Sequence, residues 1–233
     1  FIYFALSLVN FGEKPTGRII WSSTNSTTHL IMKAIHAQTS GNLYFKTGVF
    51  TGALLIQAQT MSSESLITLV KIDPEIKEEP QLKWNSFHFS FPVPVTAFYF
   101  TVESSNIFPP EYRGTQRGVE IQRLALYDAQ NQHMLSSVEI DDSSGKDYSS
   151  IVESQLSPSQ LTNVWFNSAV FDEYYYAAAA QEYLKQWGTV TQAHPPLAML
   201  ILALGIFLFG LNPFGWRILA NCSGIILIPL IYI

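Results

Sequence analysis

The sequence predicts a mixed architecture: an all-β sandwich or jelly-roll domain inserted into an α-helical membrane segment. Three observations predict it. The middle of the chain alternates apolar and polar residues with period two, the signature of a strand with one buried face. After residue 186, Arg217 is the sole Lys, Arg, Asp or Glu, as expected of helices that meet lipid. The chain opens on "FIYFALSLV" and ends in "GIILIPLIYI", and both runs are expected to be pieces of membrane spans in a longer protein.

Residues 1–11 are expected to be the end of a first transmembrane helix. The rival reading, the apolar part of a signal peptide, lacks a small-x-small cleavage pattern in "VNFGEKPTG". Residues 17–155 are expected to form an extracytoplasmic β-sandwich. In "SFHFSF", Phe87, Phe89 and Phe91 share one face, and in "TAFYFTV" so do Phe98, Phe100 and Val102. "NLYFKTGVF", "ALLIQAQT", "SLITLVKI", "GVEIQRLALYD" and "SSVEID" are further strands. In "GVEIQRLALYD" the phase slips between Ile121 and Leu124, which a bulge near Gln122 and Arg123 or burial of both faces would explain. "SSES", "DPEIKEEPQ", "PVP", "FPPEYRGTQRG", "DAQNQ" and "DDSSGKD" carry the Pro, Gly, Asp and Ser of turns and are expected to separate the strands. Residues 162–195 form a loop with interfacial helices, 196–211 a transmembrane helix, and 216–233 the start of another, cut by the chain end. "NPFG" breaks the two spans, and Trp216 beside Arg217 has the pattern of a membrane-boundary anchor.

Composition excludes some functions. The 233 residues carry 13 Lys and Arg against 18 Asp and Glu, a net charge of -5. Such a chain has no basic face for phosphate backbones, so no nucleic acid partner is expected. Cys222 is the one cysteine, which rules out an internal disulfide.

Asp172 and Glu173 precede "YYYAAAAQEYLKQW". Acids in the first turn suit a helix dipole, so taken alone the pair fits a structural role. Its surroundings add a second reading. Across "FDE…HPPL…FGLNPFGWR…GIILIPLIY", residues 164–233, the chain resembles the protein O-mannosyltransferases. These are polytopic membrane glycosyltransferases of the GT-C type that use a lipid-phosphate-linked sugar. The resemblance rests on the order and spacing of four elements: the acidic pair, His-Pro-Pro-Leu, Asn-Pro-Phe-Gly-Trp-Arg, and a Gly/Pro-punctuated span. It implies a GT-C-type helical segment around the β domain, and an extracytoplasmic loop bearing Asp172 and Glu173.

The chain departs from that pattern twice. The family often reads His-Pro-Pro-Leu-Gly-Lys, where this chain has Ala198 and Met199. The family's first loop is compact, whereas here a whole β domain precedes the acids. "GVEIQRLALYDAQNQ" is faintly similar to a strand of discoidin-type sandwiches.

Glycosyl transfer to a hydroxyl needs a base for the acceptor proton and positive or donor groups for the departing phosphate. The resemblance implies Asp172 as the base, with Glu173 positioning, and Arg217 and His194 as substrate-binding residues. Arg217 is expected at the membrane face opposite the acids. There it contacts part of the lipid carrier, a structural carboxylate, or serves as a positive-inside anchor. His194 also fits a cap or interface role. No cofactor is certain from the sequence, and a divalent metal stays open. Tyr174, Tyr175 and Tyr176 are read as interfacial packing and His88 as a solvated strand residue. Asp141, Asp142 and Asp147 are read as a turn, since they lack calcium-loop spacing. "NST" at Asn25 is a formal glycosylation sequon.

The expected function is that of a piece of an integral membrane glycosyltransferase in a bacterial plasma membrane, inactive as a fragment. It would move a hexose, mannose, from a polyprenyl-phosphate donor to a hydroxyl acceptor, protein Ser or Thr. The partners are the lipid-linked sugar, a protein or glycan acceptor and the membrane. Two alternatives stand: a membrane-anchored carbohydrate- or protein-binding module without catalysis, and a GT-C relative acting on lipid or glycan acceptors.

Overall fold

The computed structural model describes residues 21–23, 28–50, 52–72, 82–103, 118–141, 148–161, 168–169, 173–186 and 196–231. Among them are seven strands: β1 Trp21–Ser23, β2 His29–Phe50, β3 Ala53–Thr60, β4 Ser63–Ile72, β5 Trp84–Glu103, β6 Val119–Asp128 and β7 Leu135–Ile140. Three helices follow: α1 Glu173–Lys185, α2 Pro196–Phe209 and α3 Pro213–Leu230.

All seven strands belong to one antiparallel sheet in the order β1-β6-β2-β5-β3-β4. β7 also joins β2, pairing with its first half from Leu30 to Ala34, while β6 pairs with its second half from Gly41 to Phe50. β5 lines the opposite edge of β2 along both halves. The two long strands turn a corner together. From Ser90 to Val95, five steps of β5 face the two steps from Ser40 to Gln38 of β2. Pro92 and Pro94 lie in that surplus, where a missing N–H costs no ladder bond. From Gln38 to Lys33 the surplus passes to β2. Paired bulges of this kind bend strands without ending them.

The bend folds the sheet over its own core. Phe89 and Phe98 lie on the same strand, and nine extended residues span about 30 Å, yet their ring centroids are 5.0 Å apart. Phe45 and Phe100, from opposite sides of the corner, stand at 5.9 Å. Trp21, Leu30, Met32, Leu43, Ile56 and Ile121 are buried in the same cluster.

The expected fold is therefore corrected in two respects. In place of a sandwich of separate sheets, or a jelly roll, there is one curled sheet. "SFHFSF" and "TAFYFTV" are two halves of β5, and "PVP" is its corner. The phase slip in β6 is a bulge at Gln122: Lys46 faces Arg123, and Thr47 faces Ile121. Nor do the helices form a GT-C-type membrane segment. Among the described residues only Pro213–Leu230, with mean hydropathy 1.3, is long and apolar enough to cross a membrane. α2 stops after 14 residues, about 21 Å of helix against a bilayer core of about 30 Å. Gly210 ends it at φ 85, a conformation other residues avoid.

The helices pack on the sheet's outer face. Ala177, Ala178 and Ala180 of α1 lie with Val49 and Leu82 and with Ala203, Ile206, Leu211 and Trp216. Small side chains bring α1 close. α2 and α3 form a hairpin in which a Cβ at Gly205 would run into the Gly215 carbonyl.

Candidate functional site

α1 begins at Glu173, so this carboxylate stands in the first turn, at the positive end of the helix dipole. α3 begins after Asn212, whose Oδ1 accepts from the Gly215 N–H at 3.0 Å, with Pro213 at the first helical position. One turn later Trp216 is buried and Arg217 reaches back to α1.

The two meet as a fork on a carboxylate. Arg217 Nε donates to Glu173 Oε1 at 2.8 Å, and Nη2 donates to Oε2 at 2.5 Å. Nη2 also donates to the Ser168 carbonyl at 3.3 Å. The guanidinium carbon stands 5.9 Å from the Trp216 ring centroid. The Arg217 side chain is 11% exposed and that of Glu173 35%, so the carboxylate side of the pair faces solvent. A bidentate Arg–carboxylate pair fixes orientation as well as charge.

Of the four site residues the sequence proposes, the structure brings Glu173 and Arg217 together. Asp172 and His194 lie outside the described residues, as do Asn25, Asp142 and Asp147. The sequence puts Arg217 across a membrane from the acids, and the ion pair corrects that. The α2–α3 turn rests on the sheet, where Gln122 Nε2 donates to the Leu211 carbonyl at 2.9 Å. The carboxylate that Arg217 meets belongs to Glu173, the residue next to Asp172. Met199, where the family often has Lys, is 1% exposed.

Tyr174 packs against the cluster under α1, with its ring centroid 3.9 Å from that of Tyr175, which is exposed. His88 is exposed and stands 3.0 Å, through Nδ1, from Asn42 Oδ1. Among the described residues no group of three His, Cys, Asp or Glu is arranged to hold a metal ion.

Two buried polar centres on the sheet's outer face were not legible. Glu120 is wholly buried under α1, and Arg123 bonds Glu153 at 3.1 Å with both side chains buried. Alternation marks both as outward-facing, and only the double burial of β6 hinted at a covering layer. Beside the second centre, burial and then the Glu153 and Tyr44 charges push the Tyr127 phenol upward.

His133, in ring contact with Tyr127, titrates below the usual 6.5 because burial disfavours its cation, although Glu153 partly opposes this. The unfolded ring takes its proton first as pH falls. The neutral ring's contribution to stability is therefore complete above pH 6.5 and is lost as pH drops below it, until the folded ring also protonates. Melting temperature should fall on acidification from about pH 7.5 to about 5. His133→Gln should flatten part of that slope, and an unchanged slope would remove His133 as a cause.

No family model matches the chain. Over 68 residues it is 34% identical to the polyprenol-phosphate-mannose–protein mannosyltransferases of two strains of Mycobacterium tuberculosis. The match covers 27% of this chain and 13% of each relative. Part of the chain is thus similar to a mannosyltransferase, and it spans a small fraction of that enzyme's length.

Proposed function

We propose that the chain is part of a membrane glycosyltransferase that moves mannose from a polyprenyl-phosphate donor to the hydroxyl of protein Ser or Thr. The observation that carries this reading is the 34% identity over 68 residues to relatives whose name specifies both the lipid-phosphate donor and the protein acceptor. The ion pair supports it. A fork that binds a carboxylate bidentately suits a phosphate equally well, so Arg217 sits ready to share its donors with the lipid phosphate. Asp172, next in the chain to Glu173, is the general base, and Glu173 orients Arg217. His194 joins the donor side.

Exposed apolar side chains on α2 and α3 also support a lipid substrate. Leu197, Leu200, Leu204, Phe207 and Leu208 are exposed along α2, and Ile226, Leu227, Leu230 and Ile231 at the end of α3. Apolar exposure on this scale marks a surface that meets something apolar. In this reading the protein is integral to a bacterial plasma membrane. The β unit, residues 17–155, and the ion pair then lie on one extracytoplasmic side.

The test is transfer of labelled mannose from synthetic polyprenyl-phosphate mannose to a Ser/Thr-rich peptide, in membranes holding the intact protein. Label on the peptide supports the reading. Label on lipid or glycan alone changes the acceptor, and no transfer above protein-free membranes ends the enzymatic reading.

A further inference from the structure

β6 turns Glu120 and Gln122 toward the helices, two residues apart as one face of a strand requires. Glu120 is 0% exposed. Its Oε2 accepts from the Val49 N–H at 3.2 Å, and its Oε1 accepts from Gln181 Nε2 at 3.1 Å. Lys185 Nζ lies 3.3 Å from the same Oε1. Gln181 and Lys185 are both on α1, whose first residue is Glu173. Gln122 donates instead to the Leu211 carbonyl at 2.9 Å, one residue before the Asn212 cap of the helix that carries Arg217. Gly48, on the neighbouring strand, makes room for both contacts. A Cβ there would stand 2.6 Å from Glu120 Oε2 and 3.1 Å from Leu211 Cδ2.

We propose that Glu120 and Gln122 are positioning residues for the Glu173–Arg217 pair. One holds the helix bearing the carboxylate, and the other holds the turn that launches the helix bearing the guanidinium. A single strand thus sets the separation of the two groups from behind. A wholly buried carboxylate is costly unless hydrogen bonds hold it, and an apolar side chain would fill the same space. What the carboxylate adds is direction: donors on two elements fix how α1 lies and is rotated on the sheet, which apolar packing of four alanines leaves loose. The β unit is then the rigid base of the site. Its effect on catalysis rests on the transferase reading above, but its effect on geometry does not.

The experiment uses the intact protein with Cys222 replaced and spin labels at Tyr175 on α1 and Ile226 on α3, both exposed. Pulsed dipolar spectroscopy should give one narrow distance distribution. Glu120→Ala and Gln122→Ala should each broaden or shift it while the β-type circular dichroism stays intact. Misplacement of reacting groups by about 1 Å costs up to about 10²-fold. Turnover should accordingly fall roughly tenfold to 10²-fold, with the acceptor KM within about twofold. Glu120→Gln keeps part of the hydrogen bonding and should fall between wild type and alanine in both readouts. Should Glu120→Ala fail to fold, Gln122→Ala removes one hydrogen bond to a turn and decides the matter alone. An unchanged distribution in the folded alanine variants overturns the proposal. A wild-type protein that transfers no mannose overturns the transferase reading while the distance measurement still decides this one.

Discussion

Asp172→Asn in the intact protein should lower turnover about 10²–10⁴-fold, the usual contribution of a positioned general base. Asparagine keeps the shape and most hydrogen bonding but takes no proton. Binding of the lipid donor should change little, because the lost interaction matters mainly in the transition state. Glu173→Gln and Arg217→Ala should act differently, since the two side chains form one bidentate contact. Each should weaken donor binding, and the double variant should be little worse than Arg217→Ala alone. A helix that merely prefers acids at its start forecasts a stability loss of about 0.3–1 kcal/mol and near-normal turnover. Asp172→Asn enzyme within about threefold of wild type would sink the base assignment, and additive effects at Glu173 and Arg217 would separate the pair.

The largest expected stability effect lies at Arg123. Its guanidinium and the Glu153 carboxylate are 11% and 5% exposed at 3.1 Å. Taking one partner from a buried pair costs about 3–5 kcal/mol, because the other charge stays in a poor solvent. Arg123→Ala should therefore lower the melting temperature by roughly 10 °C in a chain of this size. Replacing both Arg123 and Glu153 by Met should recover most of that loss, since the space is filled and no charge is stranded. A loss below about 1 kcal/mol for Arg123→Ala would mean that water reaches the pair.

The β-rich middle was legible because period two survives any topology: Phe87 and Phe89 share one phase before the corner of β5, and Phe98 and Phe100 share the other after it. The slip at Gln122 was legible too, because a bulge must move every later side chain to the other face. The corner was not. Pro92 and Pro94 carry the chemistry of a break, and nothing local distinguishes a strand that stops from two strands that bend together. Glu120 was missed for a related reason. Alternation says which way a side chain points, not what lies over it, and α1 arrives about 50 residues later. The Glu173–Arg217 contact joins residues 44 apart. Hydropathy placed them across a bilayer, whereas the structure joins them in one bidentate contact. The turn after α2 rests on the sheet through the Gln122 hydrogen bond to the Leu211 carbonyl, a contact that hydropathy cannot show.

The corner shared by β2 and β5 also dictates an order of assembly. His29 pairs with Thr101, and Leu30 pairs with Ile140 on the other edge. As the chain leaves the ribosome, β2 is an early, 22-residue strand whose partners, apart from whatever covers it meanwhile, are still to be made. Contacts this distant in sequence slow folding, and an open strand edge invites pairing with other chains. Among the described residues, local closure comes from the β3–β4 hairpin, turned at Met61 and Ser62, and from the turn after β6, where Tyr127 bridges His133. The sheet therefore matures late and nearly all at once. The nascent protein needs β2 shielded until about ninety further residues, from Phe50 to Ile140, have emerged.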